Sequence, residues 1–488
     1  MQASTVITII IAYFTVLIVI SYFTGRNANN ATFFLGNRKS PWYIVAFGMI
    51  SASLSGVTLI SVPGWVMDSQ FSYMQIVIGY LLGYAIIAHI LMPMYYRLNL
   101  TSIYTYLEKR FGGVSYKTGA SFFLLSRLIG AAFRLFLVAN VLQISLFNQW
   151  GIPFEATVVV TIVLIWLYTF KGGIRTIIWT DALQTLFMLT AVGITVYIIS
   201  KDLNLSFGGM VQTIADSEHS KIFFFGNFKG EYHFIKQFLS GAFIAVVMTG
   251  LDQDMMQKNL SCKNIKEAQK NMHWFSLSLI PVNLLFMSLG ALLIIYAHKE
   301  GIPLPEQSDD LYPIIATQGY LSPLVGILFI LGLISAAYSS ADSALTALTT
   351  SFTVDILDTK HMKEIPLRRL RKKVHVGISI TLALIIIVFN AVNDQSVISA
   401  VFTMAGYTYG PLLGMYTFGL FTKYQVKDRW VPLVAILSPI ICGILSFNSE
   451  LLFNGYKFGF ELLIINGLIT LAGLFILKTK KQEVTSSR

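Results

Sequence analysis

The sequence predicts an all-α integral membrane protein, and its composition and its long apolar runs are the basis of that prediction. Of its 488 residues, 55% are hydrophobic and only 12% are charged, whereas about a quarter of the residues of a soluble domain are charged. The mean hydropathy is +0.67. A helix needs about 20 apolar residues to cross a hydrocarbon core of about 30 Å. Runs of about that length recur along the whole chain, so we expect about thirteen transmembrane helices.

The apolar runs give the expected position of each helix. In chain order, they are 3–23, 42–67, 73–97, 118–148, 156–170, 176–200, 235–256, 273–298, 323–354, 374–392, 396–421, 430–447 and 460–477. The first run is too long for a signal peptide and lacks a small-residue cleavage site, so we expect it to be retained as a helix. No connecting segment is long enough to fold alone, and the two cysteines provide no disulfide framework. A single membrane domain over 1–478 follows, with a short tail at 479–488.

The charge distribution predicts the orientation of these helices. The net charge is +11, but most of the Lys and Arg residues fall in alternate loops, which does not indicate a nucleic-acid partner. Loops rich in Lys and Arg stay in the cytoplasm. We therefore expect the N-terminus outside, the C-terminal tail in the cytoplasm, and a multi-pass protein of the cell's inner (plasma) membrane.

Two of the runs are interrupted by polar residues and by Gly or Pro. The run from 42 contains "GMISASLSGVTLISVPGW", and the run from 235 contains "VVMTGLDQDMMQKNL". Backbone N–H and C=O groups that lose their helical hydrogen bonds at membrane depth need other partners, from the protein, from water or from a ligand. The interruptions lie five runs apart, so the two helices run in opposite directions, as in an inverted repeat. Paired broken helices of this kind mark the central site of a transporter.

The helix expected at 323–354 has one polar face. At helical spacing this face carries Ser335, Ser339, Asp342, Ser343, Thr346 and Thr353. Serines alone can bond back to their own helix, but a carboxylate at membrane depth is a functional candidate. A second such carboxylate is Asp181. Hydroxyls, carboxylates and freed carbonyls are hard ligands, and together they favour sodium, whereas a proton would not need so many serines.

Four ordered segments resemble the sodium:solute symporter family. They are "FFLGNRKSPWYIVAFGMISASLSGVTLISVPG", "YTFKGGIRTIIWTDALQ", "DQDMMQKNLSCKNIKEAQ" and "SAAYSSADSALTALTTSFTVDI". The resemblance covers about residues 1–478 and includes the galactose and sialic acid branches. It implies a LeuT-like fold, with a leading helix at 3–23, inverted five-helix repeats at 42–200 and 235–421, and trailing helices at 430–477.

The same resemblance implies sodium sites. The site common to the family would take the backbone carbonyls of Ser51, Leu54 and Ala336 and the hydroxyls of Ser339 and Ser340. A second cation site, described in the sialic acid branch, would take Asp181, Ser339, Asp342 and Ser343. This sequence departs from that branch because Asp342 stands where the branch has a serine. Whether Asp342 binds a cation, takes a proton or pairs with an arginine is open, and so is the number of sodium ions in each cycle.

The substrate is expected between the two broken helices. The candidate ligands are Ser53, Ser55, Thr58, Tyr73, Gln75, Thr249, Asp252 and Gln253. Tyr407 and Tyr409 are candidates for a lid, with packing as the alternative.

Two arginines share one face of the helix at 118–148. Arg127 and Arg134 are seven residues apart, and the guanidinium fork suits a carboxylate. The substrate-binding arginine of the sialic acid branch aligns with Ala131 here, one turn from either. Binding of an anionic solute and structural pairing with Asp342 or Asp181 remain open alternatives.

These features together predict sodium-coupled symport of a small organic solute by alternating access. We expect sodium as the coupling ion, a sugar or sugar acid such as a sialic acid as the solute, a lipid bilayer around the chain, and a functional monomer. Uptake of an amino acid or carboxylate remains an alternative, and so do a transporter-like receptor and an ion channel. The seven histidines are scattered and no metalloprotease or phosphate-loop motif occurs, so we do not expect an enzyme.

Overall fold

The computed structural model describes residues 7–8, 11–13, 15–16, 19, 41–53, 55–98, 103–169, 174–359, 362, 364–393 and 395–479. For some helical residues within these ranges only the backbone is described, notably 51, 174–184, 335, 337–343 and 346. Most of the expected leading helix at 3–23 therefore lies outside the described residues.

The first half of the described chain is helical. Its helices are α1 Trp42–Ser53, α2 Gly56–Ser69, α3 Tyr73–Ile86, α4 Met92–Leu98, α5 Thr105–Arg110, α6 Gly113–Ser145, α7 Phe154–Thr169 and α8 Ile174–Asp202. A turn of π-helix, Ile87–Leu91, joins α3 to α4, so the two form one continuous helical segment.

The second half of the described chain is also mainly helical. Its helices are α9 Phe207–Ala215, α10 Phe234–Ala245, α11 Gln253–Leu260, α12 Ile265–Glu300, α13 Leu311–Thr317, α14 Pro323–Ser351, α15 Glu364–Val392 and α16 Val397–Phe421. The last three helices are α17 Val431–Phe447, α18 Ser449–Leu452 and α19 Leu462–Ile476. Two short antiparallel strands, β1 Gln425–Val426 and β2 Lys478–Thr479, pair Gln425 with Thr479.

Six described helical segments are long and apolar enough to cross a membrane. They are Tyr73–Leu98, Gly113–Ser145, Thr185–Asp202, Ile265–Glu300, Arg369–Val392 and Asp428–Phe447. Four shorter apolar helices occur at Phe154–Ile165, Phe234–Gly250, Pro323–Ile334 and Leu462–Ile476. The expected count of thirteen membrane helices remains a prediction.

The first broken helix divides at Ser55. Ser55 has an extended backbone, with φ −91° and ψ −178°, between α1 and α2. Its carbonyl accepts a hydrogen bond from the amide of Thr58 at 2.9 Å, which starts α2. Pro63 lies inside α2. The break is therefore placed by the Ser-rich stretch, two turns before the proline that the sequence also singled out.

The second broken helix divides after a π-helical turn at Val246–Gly250. The freed carbonyls of Gly250 and Leu251 accept hydrogen bonds from the hydroxyls of Tyr95 and Tyr104, each at 2.8 Å. The carboxylate of Asp252 then accepts from the amide of Met255 at 3.1 Å, an N-cap for α11. Protein side chains thus satisfy the backbone at this break, as membrane depth requires.

Close helix packing brings the second broken helix against α3. A methyl group on Gly79 would overlap the backbone of Phe238, and one on Gly241 would overlap the backbone of Ile76. Only glycine permits so close an approach of α3 and α10, because it has no Cβ. This contact fixes the polar residues of α3 opposite the second break.

Candidate functional site

A cavity of about 100 Å³ lies between the two broken helices. Seven predicted substrate residues line it: Ser53, Ser55, Thr58, Tyr73, Arg127, Arg134 and Thr249. Their helices are far apart in the chain, and the packing of α2, α3, α6 and α10 brings them together. Ser55, Thr58 and Thr249 are buried, so hydroxyl groups, which both donate and accept hydrogen bonds, face a space largely shielded from solvent.

Arg127 is paired within the protein. Its Nη1 lies 3.4 Å from Oδ2 of Asp252, and the carboxylate side chain is only 1% exposed. Asp252 was predicted to contact the substrate, but its carboxylate contacts Arg127 and caps α11. The alternative in which the arginines pair with Asp342 or Asp181 stays a prediction, because the structure does not describe the side chains of these two aspartates. The described carboxylate that holds Arg127 comes from the second broken helix.

Gln75 and Gln253 hold the backbone in place outside the cavity. The amide of Gln75 is fully buried; it donates to the Tyr232 carbonyl at 3.0 Å and accepts from the Phe224 amide at 3.1 Å. The Oε1 of Gln253 accepts from the amide of Ile103 at 2.8 Å. Of the predicted substrate residues whose side chains are described, these two and Asp252 do not line the cavity. Their predicted substrate role is untested, and their observed contacts are structural.

Three further side chains with hydroxyl or amide groups line the cavity, and the sequence analysis did not single them out. Tyr80 and Tyr84 follow Tyr73 on one face of α3, and the hydroxyls of Tyr73 and Tyr80 lie 3.3 Å apart. Spacings of seven and eleven residues place them on one helix face, a signal that could have been read from the sequence.

Asn283 is the third of these residues. It is 2% exposed, and its Nδ2 donates to the carbonyl of Leu279 at 2.7 Å. Its buried Oδ1 has no hydrogen-bond partner among the described residues, and Asn283 is one of the residues that line the cavity. A buried acceptor without a partner is costly, so this oxygen is a candidate to accept a hydrogen bond from a solute. The sequence did contain a signal for this residue: a single Asn stands two residues after Pro281 in an apolar stretch of the helix.

Tyr407 and Tyr409, the two candidate lid residues on α16, line different cavities. Tyr409 is buried and lines a small cavity of about 20 Å³ together with both arginines. Tyr407 instead lines an outer cavity.

The predicted sodium ligands fall largely outside the described side chains. These are Ser51, Asp181, Ser339, Ser340, Asp342 and Ser343, and Leu54 is not described at all. Ala336 is fully buried. At the level of the backbone, α14 packs against α8, which carries Asp181, and α8 packs against α1, which carries Ser51. The helix α14 also packs against α2, which follows the first break. These contacts bring the helices with the predicted cation ligands into one cluster.

Comparison with known proteins identifies one family. The model described as the sodium:solute symporter family matches residues 33–427. Two similar curated proteins are sodium/sialic acid symporters. NanT of Aliivibrio fischeri is 25% identical, over 82% of this chain and 80% of its own. SiaT of Proteus mirabilis is 25% identical, over 93% of this chain and 92% of its own.

Two solved structures resemble the fold. One is the substrate-bound, outward-open state of a sodium-coupled sialic acid symporter; its TM-score is 0.79 at 20% identity, and the match covers 98% of this chain and 99% of that one. The other is Mhp1, a nucleobase-cation symporter in a closed conformation, with a TM-score of 0.58 at 14% identity, over 92% and 95% of the two chains. The predicted all-α, LeuT-like transporter fold is thereby confirmed.

Proposed function

Because this chain belongs to the sodium:solute symporter family, we propose that it uses a sodium gradient to take up an anionic, hydroxylated solute, a sugar acid such as a sialic acid. Membership of a symporter family also confirms the prediction that the chain is a transporter and not an enzyme. The observation that carries the choice of solute is the central cavity between the two broken helices, which is lined by hydroxyl groups and by two arginines.

Two arginines on the cavity wall support a solute that carries a carboxylate. Arg127 and Arg134 are among the residues that line the cavity, and Asp252 pairs with Arg127. A guanidinium is well suited to a carboxylate, because its planar fork can donate two parallel hydrogen bonds. The lining therefore supports an anionic solute.

The remaining polar groups suit the hydroxyl and amide groups of a sugar acid. Ser55, Thr58 and Thr249 offer hydroxyls, and Asn283 offers a carbonyl oxygen that has no partner within the described part of the chain. Tyr73, Tyr80 and Tyr84 supply an aromatic wall. Such a combination of an apolar wall with a few placed polar groups is typical of small-molecule sites.

We retain the two sodium sites proposed from the sequence. The common site consists of Ser51, Leu54, Ala336, Ser339 and Ser340, and the second of Asp181, Ser339, Asp342 and Ser343. The contacts of α14 with α8, and of α8 with α1, support both sites. In this proposal, sodium joins the first broken helix to α14, favours the outward-open state and so admits the solute. Closure follows, and loss of the ion to the cytoplasm releases the solute.

We further propose a monomer that spans the plasma membrane, with its N-terminus outside, its tail at 479–488 in the cytoplasm, and inverted repeats at 42–200 and 235–421. The alternation of basic loops along the chain supports this topology. The paired breaks at Ser55 and at Leu251–Asp252 support the repeats.

Uptake by purified protein in liposomes tests the proposed function. We expect N-acetylneuraminic acid to accumulate under an inward sodium gradient and not under a potassium gradient. Asn283→Leu should raise the KM by about fivefold, because one hydrogen bond contributes about 1 kcal/mol. Ser340→Ala and Asp181→Ala should each raise the sodium concentration needed for half-maximal uptake.

A thermal-shift panel provides the control. Sugars, sugar acids, amino acids and carboxylates are compared with and without sodium, since a bound ligand stabilises the folded state by mass action. A stabilising solute whose effect is independent of sodium, together with unchanged sodium activation in both site variants, would refute the assignment.

A further inference from the structure

A second, larger cavity lies beyond the central one. Its volume is about 190 Å³, and it lies between α2, α10, α16 and the segments around Tyr232 and Phe460. Its lining includes Glu231, Gln237, Gln395, Ser399, Thr403 and Tyr407. This outer cavity is on the side of the protein predicted to be external. Nothing in the family assignment gives it a role.

Aromatic rings separate the outer cavity from the central one. The ring centroids of Trp65 and Tyr73 are 5.8 Å apart, and those of Trp65 and Phe460 are 5.9 Å apart. Phe402 lies 6.3 Å from Tyr73 and 5.3 Å from Phe460. Trp65 and Phe460 line only the outer cavity, Tyr73 lines only the central one, and Phe402 borders both. These four rings form a partition, so the cavities are distinct compartments in this conformation.

An unpaired buried acceptor borders the outer cavity. The side chain of Gln237 is 3% exposed, and its Oε1 has no hydrogen-bond partner within the described part of the chain. Native proteins rarely leave such an oxygen unsatisfied. A ligand that donates a hydrogen bond would remove the cost. Close by, the Ser399 hydroxyl donates to Oε1 of Gln395 at 3.0 Å.

The charges of the outer cavity differ from those of the central cavity. Glu231 is the only charged residue among its described lining residues. Lys236 is a buried cation of the adjoining segment. Its ammonium forms an ion pair with Glu461 at 3.1 Å and donates hydrogen bonds to the carbonyls of Gly230 and Lys457 at 3.0 and 2.6 Å. Its donors are therefore already used. An anion would meet the Glu231 carboxylate in the lining, whereas Lys236 is not among the lining residues and already binds three acceptors. The outer cavity therefore disfavours anions.

We propose that the outer cavity is a second binding site, for a neutral polyhydroxylated molecule such as a sugar or polyol. Hydroxyl groups of this ligand donate to Gln237 Oε1 and Glu231, while its carbon face lies on Trp65 and Phe460. Aromatic rings supply a large rigid apolar surface for such contacts. The proposal is independent of the identity of the transported solute, because it depends only on residues that line the outer cavity and not the central one.

Calorimetric titration of the full chain in lipid nanodiscs tests this site. The neutral probe is N-acetyl-D-mannosamine. Gln237→Leu should weaken its binding about fivefold, the effect of one lost hydrogen bond, whereas Gln237→Glu retains an acceptor and should preserve binding. Thr403→Val provides a second outer-cavity variant if Gln237→Leu fails to fold. Asn283→Leu, a central-cavity variant, should leave binding of this probe within about twofold.

Two results would overturn the proposal. One is the absence of any titratable binding of the neutral probe to the wild type, which would mean that water alone fills the outer cavity. The other is binding lost in Asn283→Leu but unchanged in the Gln237 and Thr403 variants, which would place the probe in the central cavity. Sodium-driven uptake of N-acetylneuraminic acid is measured separately, so failure of this proposal is distinguishable from failure of the proposed function.

Discussion

Replacement of Asp309 by Asn should make the protein more stable at neutral and alkaline pH. Asp309 lies in the connection between α12 and α13 and is 6% exposed. Its Oδ2 accepts a hydrogen bond from the amide of Val397 at 2.7 Å, at the start of α16. Burial raises the pKa of Asp309 from 3.8 to about 7; the hydrogen bond from Val397 and the nearby Ser61 hydroxyl reduce this shift, and Asp310 and Asp68 add to it.

The sign and size of the effect follow from this shift. Between about pH 4 and pH 7 the folded protein holds a proton on Asp309 that the unfolded chain has lost, so stability falls as the pH rises through this window. The shift of about 3 units corresponds to about 4 kcal/mol, at 1.36 kcal/mol per unit. About 3 kcal/mol of that loss falls between pH 5 and pH 8. An Asn accepts the same hydrogen bond and carries no charge, so it avoids the loss.

The assay is thermal unfolding of purified protein at pH 5 and pH 8. We expect Asp309→Asn to unfold at a higher temperature than the wild type at pH 8, with a smaller difference at pH 5. Asp216→Asn, at an exposed aspartate, controls for the change in net charge. Equal pH dependence in the wild type and Asp309→Asn would refute the reasoning.

Three further predictions concern packing and buried polar contacts. Gly241→Ala should lower the free energy of unfolding by about 1–3 kcal/mol, because the added methyl group overlaps the Ile76 backbone. Gly193→Ala is the control, since its methyl group meets open space and should not destabilise the protein. The melting temperatures of the two variants test this difference. Asp252→Asn should cost about 3–5 kcal/mol by leaving Arg127 without its carboxylate; a melting temperature equal to that of the wild type would contradict this pairing. Gln75→Leu should expose the segment around Phe224 and Tyr232 to protease without changing solute affinity; lost affinity with an intact segment would instead indicate direct solute contact.

The sequence alone determined the class of the protein and the positions of its two broken helices. Apolar length and low charge are local properties of the chain and are sufficient to predict membrane helices. The Ser-rich stretch at Ser55 and the Gly and Asp residues near Leu251 likewise act within one or two turns. Seven of the predicted substrate residues also line the cavity. Four of them, Ser53, Ser55, Thr58 and Thr249, lie within one turn of the two breaks.

Only the tertiary structure decided which polar side chains hold the protein together. Arg127 and Asp252 are separated by 125 residues, and Gln75 and Tyr232 by 157. Helical periodicity predicts which face of a helix a residue occupies, but it does not predict which other helix packs against that face. The depth and rotation of each helix depend on close contacts such as that of Gly79 with Phe238. The same packing left Asn283 and Gln237 each with a buried acceptor beside a cavity.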